Sequence, residues 1–196
     1  MNQMIRDVYQ HVHHTYRLKE NIRFELAHGT ESNYDQQIEH GKKRAHRLFD
    51  AVFHDTERIQ IILFDAAYSK KGHFTKYLYS NHYTIVDHFM TDAFKAYYTD
   101  ETSILVVETS LANLRKIKVI DGICYEDFKK PGKLRIRNAV VFYEPQRQII
   151  LNIYDDRGCD VWSKNIQQQK AIYQEFNAWI LDDDRAAIDQ VFAAIP

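Results

Sequence analysis

Residues 139–154 read AVVFYEPQRQIILNIY. Two runs rich in β-branched and aromatic side chains, Ala139 to Tyr143 and Ile149 to Tyr154, flank Glu144-Pro145-Gln146-Arg147-Gln148. Such runs suit a pleated, packed surface, and Pro145 presets the φ that a turn needs, so the stretch predicts a β-hairpin. Directly after it, Asp155 to Gly158 predicts a second turn with Gly158 at positive φ. Cys159 to Trp162 then predicts a short returning strand.

Working towards the N-terminus, Leu111 to Phe128 fits two patterns. Ile117, Val119 and Ile123 suit a strand, whereas Leu114, Ile117, Ile120 and Cys124 suit a helix, which is preferred. Ser103 to Thr109 predicts a strand. Val86, Phe89, Met90, Ala93, Phe94 and Tyr97 recur at helical spacing. Arg58 to Ala67, with its β-branched run, predicts a buried central strand, followed by a turn at Ser69 to Gly72. Tyr34, Ile38, Gly41, Ala45, Leu48 and Val52 mark a helix from Asp35 to His54. Ile22 to Ala27 alternates apolar and charged residues as a half-buried strand does, and Ile5, Val8, Tyr9, Val12 and Tyr16 predict an opening helix.

Beyond the hairpin the chain predicts two closing helices. Ile166, Tyr173, Phe176 and Ile180 line the first, and Ile188, Val191, Phe192 and Ile195 line the second. Asp182-Asp183-Asp184 between them suits the start of a helix, as cap and as partner of its dipole. The fold class expected is α+β: a mixed or antiparallel sheet with a C-terminal β-hairpin, flanked by helices, in a single globular domain spanning residues 1–196.

Composition removes several function classes. The 26 basic and 27 acidic side chains nearly cancel, so no whole-molecule field draws the chain to nucleic acid or an anionic membrane. The two cysteines, Cys124 and Cys159, form no C-x-x-C and predict reduced thiols. No signal peptide or membrane span is legible, and a cytoplasmic protein is expected. G-x-S-x-G, G-x-x-x-x-G-K-[ST] and G-x-G-x-x-G are all absent.

Several blocks in fixed order carry a resemblance. They are Ile22-Arg23-Phe24-Glu25-Leu26, Tyr154-Asp155-Asp156-Arg157-Gly158-Cys159-Asp160-Val161, Ile172-Tyr173, Asn177, Trp179-Ile180-Leu181, Asp184-Arg185 and Ile188-Asp189. With them the chain resembles the bacterial family known as domain of unknown function 3885. The resemblance implies a bacterial source and a shared fold, and it implies no reaction.

The acidic turn is the first place to look for chemistry. Asp155, Asp156 and Asp160 offer three carboxylates that a hard divalent cation would accept, and Arg157 offers a fork for phosphate. The competing reading is a tight turn in which Asp side chains bond nearby backbone N–H groups and Arg157 pairs with one of them. That reading is preferred because the EF-hand spacing and its distal Glu are missing. Arg23 and Glu25 share a strand face where Arg157 or Asp160 can meet them, which suggests a structural ion-pair network. The candidate polar site is thus Arg23, Glu25, Asp155, Asp156, Arg157 and Asp160.

Other clusters are weaker. His11 with His14, and His88 with Asp92, have helical spacing but no H-E-x-x-H motif and no third ligand. Lys129, Lys130, Lys133, Arg135 and Arg137 form a basic stretch, with Lys133, Arg135 and Arg137 on one face if extended. Arg115 to Arg137 holds eight basic and three acidic residues, while Asp155 to Asp184 holds seven acidic and three basic. The acids around Cys159 disfavour a reactive thiolate, and Cys124 reads as a small apolar side chain.

Two functions remain in view. The favoured one is a non-catalytic protein-binding module, immunity- or antitoxin-like, that uses its oppositely charged faces, with no cofactor and another protein as partner. The alternative is a metal-assisted hydrolase or nuclease with Asp155, Asp156 and Asp160 on a divalent metal and Arg157 on a phosphate.

Overall fold

The hairpin around Pro145 sits in the middle of a seven-stranded antiparallel sheet. The computed structural model describes residues 21–27, 33–66, 73–91, 102–128, 131–136 and 140–195. The strands are β1 (Ile22–Glu25), β2 (Arg58–Ala66), β3 (Tyr83–Thr91), β4 (Thr102–Ser110), β5 (Val140–Glu144), β6 (Ile149–Ile153) and β7 (Gly158–Ser163). Their spatial order is β1-β7-β6-β5-β2-β4-β3, and every neighbouring pair is antiparallel. Among the described residues four α-helices join them: α1 (Tyr34–Val52), α2 (Lys116–Cys124), α3 (Ile166–Glu175) and α4 (Asp182–Ala193). The class is α+β, as the order of elements implied.

Strand alternation places Phe24, Ile61, Val107, Phe142, Leu151 and Val161 on one face of the sheet. The apolar stripes of the helices pack against that face in one large core. From α1 come Ile38, Ala45, Leu48, Phe49 and Val52. α2 adds Val119, Ile120 and Ile123, α3 adds Ile172, and α4 adds Ile188 and Phe192. Phe49 meets Phe142 edge-on at 5.0 Å, the arrangement that aromatic quadrupoles favour. α1 starts where Asn33 accepts the N–H of Gln36 at 2.9 Å, a cap of about 1 kcal/mol. On the other face of the sheet, Ile62, Phe64, Ile104, Val106, Val141, Tyr143 and Ile150 form a second cluster that, among the described residues, draws on strands alone.

Several expectations need correction. Val86 to Tyr97 was expected as a helix, but its described part lies in the edge strand β3, paired with β4. A bulge between Ile85 and Asp87 inserts one residue, so the apolar positions fall out of two-residue phase and imitate helical spacing. Residues 92–97 lie outside the described residues. The stretch from Lys133 to Ile136 is not a strand. It is held by the end of α2, where Ile136 N–H donates to Gly122 and Arg135 donates to the carbonyls of Tyr125 and Glu126. Lys129, Lys130 and Arg137 lie outside the described residues.

Gly158 does not take positive φ; the left-handed residue of the hairpin turn is Gln148, at φ 52°. Helix α3 stops at Glu175, and a 3-10 turn at Asn177–Trp179 delivers Ile180 to a bridge with Phe24. The three aspartates Asp182 to Asp184 form the first turn of α4, while the cap position belongs to Leu181. They therefore meet the helix dipole without supplying a side-chain cap. The expected opening helix, with His11 and His14, lies outside the described residues. Among the described residues no helix is long and apolar enough to cross a membrane.

Candidate functional site

The turn that joins β6 to β7 carries the acidic cluster. Its backbone is tied down at both ends: Leu26 N–H donates to Arg157 at 2.7 Å and Tyr154 N–H to Gly158 at 3.1 Å. Each carboxylate then goes its own way. Asp155 accepts the backbone N–H of Arg157 at 2.7 Å and its Nε at 2.8 Å, so it is turned back onto its own turn. Arg157 also reaches Asp127, at 3.4 Å. Asp156 is 1% exposed and accepts Gln37 Nε2 from α1 at 2.8 Å. Burial pushes its carboxyl above the usual range, against the pull of Gln37.

Asp160, also 1% exposed, faces Arg23 directly across the β1–β7 register, with Nε to Oδ1 at 3.2 Å. Arg23 continues to Asp184 at 3.2 Å, which ties α4 to the sheet. The Tyr154 hydroxyl lies against Asp160, and burial together with that carboxylate drives it well above the ordinary phenol range. Glu25 shares the Arg23 face of β1, and its carbonyl accepts from Arg44 of α1 at 2.9 Å.

The structure therefore brings Arg23 to Asp160 and Arg157 to Asp155, and it sends Asp156 to α1. Among the described residues no three His, Cys, Asp or Glu side chains are grouped so as to hold a metal ion. His88, expected on a helix, lies on β3 with Nε2 3.0 Å from Ser103 Oγ, and Asp92 lies outside the described residues. Both thiols are buried, and burial raises both above the ordinary cysteine range, so neither is a nucleophile at neutral pH.

Sequence reading missed three participants. Gly41 of α1 passes so close to the turn that a Cβ there would lie 2.3 Å from the Asp156 carbonyl oxygen. Gln37, one helical turn earlier, supplies the donor for Asp156. Glu126, just past α2, is pushed up to about 7, first by burial and then by repulsion from Asp127 and Asp155. No local pattern signals the contacts of Gln37 and Gly41, because their partner Asp156 lies more than a hundred positions away in the chain.

A second feature lies at the other end of α1. A cleft of about 870 Å³ opens between its C-terminus, the 3-10 turn at Leu111–Asn113 and the start of α2. Phe49, Phe53 and Leu114 form its floor. Tyr79 and Ile117 stand at its rim, 68% and 65% exposed. Ile117 was expected on the buried stripe of its helix, but that stripe runs through Val119, Ile120 and Ile123 instead. Beside the cleft, a polar cavity of about 500 Å³ is lined by Arg58, Glu108, Glu144 and Arg147, and the two share Thr56 and Glu57.

No curated protein and no solved structure matches the chain. The sequence model of one family, described as Domain of unknown function (DUF3885), matches residues 1–184, nearly the whole length. The chain belongs to the DUF3885 family.

Proposed function

We propose that this protein is a non-catalytic protein-binding module, of the immunity or antitoxin kind, working in the cytoplasm. The observation that carries the reading is the cleft at the end of α1, where large apolar side chains stand exposed over an aromatic floor. Exposed apolar area rimmed by polar groups is the usual character of a protein-binding surface.

The geometry of the acidic turn weighs against the alternative, a metal-assisted hydrolase. An open metal centre needs carboxylates that converge with a free coordination position. Here Asp155, Asp156 and Asp160 diverge, and each accepts from a donor of this chain.

The test is co-expression with the products of the neighbouring genes, followed by titration of any complex by isothermal calorimetry. The account expects a stoichiometric complex and no metal-dependent turnover of phosphodiester or ester substrates. Hydrolysis that needs Mg²⁺ or Mn²⁺ and is lost in Asp155→Asn would overturn it.

A further inference from the structure

The two cavities around Thr56 differ in character, and the ridge between them is acidic. Asp50 is paired with Lys116, Glu108 with Arg58 and Glu144 with Arg147. Two carboxylates on the ridge meet no lysine or arginine among the described residues. Asp55, 80% exposed at its side chain, meets only its neighbour His54, and Glu57 makes no ion pair among the described residues. The C-terminal pole of α1 adds to this negative potential, because no basic residue stands in its last turn. An aromatic-floored hollow therefore adjoins a ridge whose two carboxylates meet no lysine or arginine among the described residues.

We infer that this surface binds a segment of a partner protein that inserts one large apolar side chain between Tyr79 and Ile117. The same segment lays a lysine or arginine over Asp55 and Glu57. The inference rests on the protein-binding reading and gives it a place and a chemistry. The apolar anchor supplies most of the affinity by leaving water, and the cation fixes orientation and speeds encounter. A partner with acidic residues at that position would meet like charge and be rejected.

A random peptide library displayed on phage, panned on the full chain, tests the inference. Ile117→Asp and Glu57→Lys are the comparison proteins, both altered at exposed positions and so expected to fold normally. Enriched peptides are expected to hold a large apolar residue within a few positions of Lys or Arg. Their affinity is expected to fall about tenfold or more in Ile117→Asp, the size of loss typical of a central anchor. In Glu57→Lys it is expected to fall with a weaker dependence on salt.

Acidic peptides, equal binding to all three proteins, or no enrichment would overturn the inference. A dimer of the protein in analytical ultracentrifugation that Ile117→Asp dissolves would also overturn it, in favour of a second copy as occupant. A gene-neighbour complex unaffected by either substitution would sink this inference alone and leave the protein-binding reading standing. Loss of every complex together with metal-dependent hydrolysis would remove both.

Discussion

Replacing Gly41 with alanine separates helix propensity from packing, because the two act in opposite directions. In an unconstrained helix interior the change stabilises by about 1 kcal/mol. Here the new Cβ would sit 2.3 Å from the Asp156 carbonyl oxygen, 3.1 Å from its carbon and 3.2 Å from its Cα. All three are backbone atoms of a turn fixed at both ends, so no side-chain rotation relieves the contact. Reaching ordinary separation means moving the turn from α1 by roughly 1 Å, and overpacking of this kind costs about 1–3 kcal/mol. The same movement stretches the 2.8 Å bond from Gln37 to a carboxylate that is almost wholly buried. Losing a hydrogen bond to a charged group adds about 1.5–3 kcal/mol.

After the propensity gain is subtracted, Gly41→Ala is expected to destabilise by about 3 kcal/mol, lowering Tm by roughly 6–12 °C for a chain of this size. Urea unfolding followed by circular dichroism measures it. Combining it with Gln37→Ala is expected to cost little more than Gly41→Ala alone, since the bond is already broken. An alanine variant as stable as the parent would refute the claim that the turn is docked rigidly on α1.

Other outcomes follow from the same geometry. Arg23→Ala leaves Asp160 buried without its cation; breaking a buried pair costs about 3–5 kcal/mol, and the partial exposure of Arg23 lowers this to about 2 kcal/mol. Arg23→Lys is expected to recover part of that loss in urea unfolding. Glu126, held near 7 against an ordinary 4.5, penalises the folded state once it ionises, so its contribution to stability falls as pH rises from about 4.5 to 7. Glu126→Gln is therefore expected to be more stable than the parent at pH 8 and equal to it at pH 4.5; the reverse trend would show that the carboxyl ionises freely. Cys124 and Cys159 are expected to resist an aromatic disulfide reagent in the native protein and to react on unfolding. Labelling of either thiol before unfolding would contradict its burial.

Much of the fold was legible because burial of whole faces imposes a pattern. The hairpin at Pro145, the β-branched run of β2 and the apolar stripe of α1 each appear where local sequence and long-range packing agree. β3 misled because its bulge shifts the side-chain phase by one residue, and an edge strand with exposed Ile85 and Met90 lacks the burial that enforces alternation. Gly158 misled in another way: a glycine in an acidic turn suggests a left-handed residue, yet here it opens β7 opposite Glu25. At the site, the pairing of Arg23 with Asp160 was foreseeable from a shared strand face. The contacts of Asp156 with Gln37 and Gly41 were not, since they join a helix to a turn 119 positions away in the bond to Gln37. The acidic ridge was equally hidden, because only the fold shows which carboxylates a lysine or arginine engages.

The most direct test of the claim that residues 154–160 form a structural latch is titration with Mn²⁺, monitored by the ion's paramagnetic broadening of the amide resonances of that turn. The account predicts no saturable broadening at Asp155, Asp156 or Asp160, because their carboxylates are already engaged by Arg157, Gln37 and Arg23. Saturable broadening centred on all three, removed by Asp156→Asn, would contradict it and restore the metal centre.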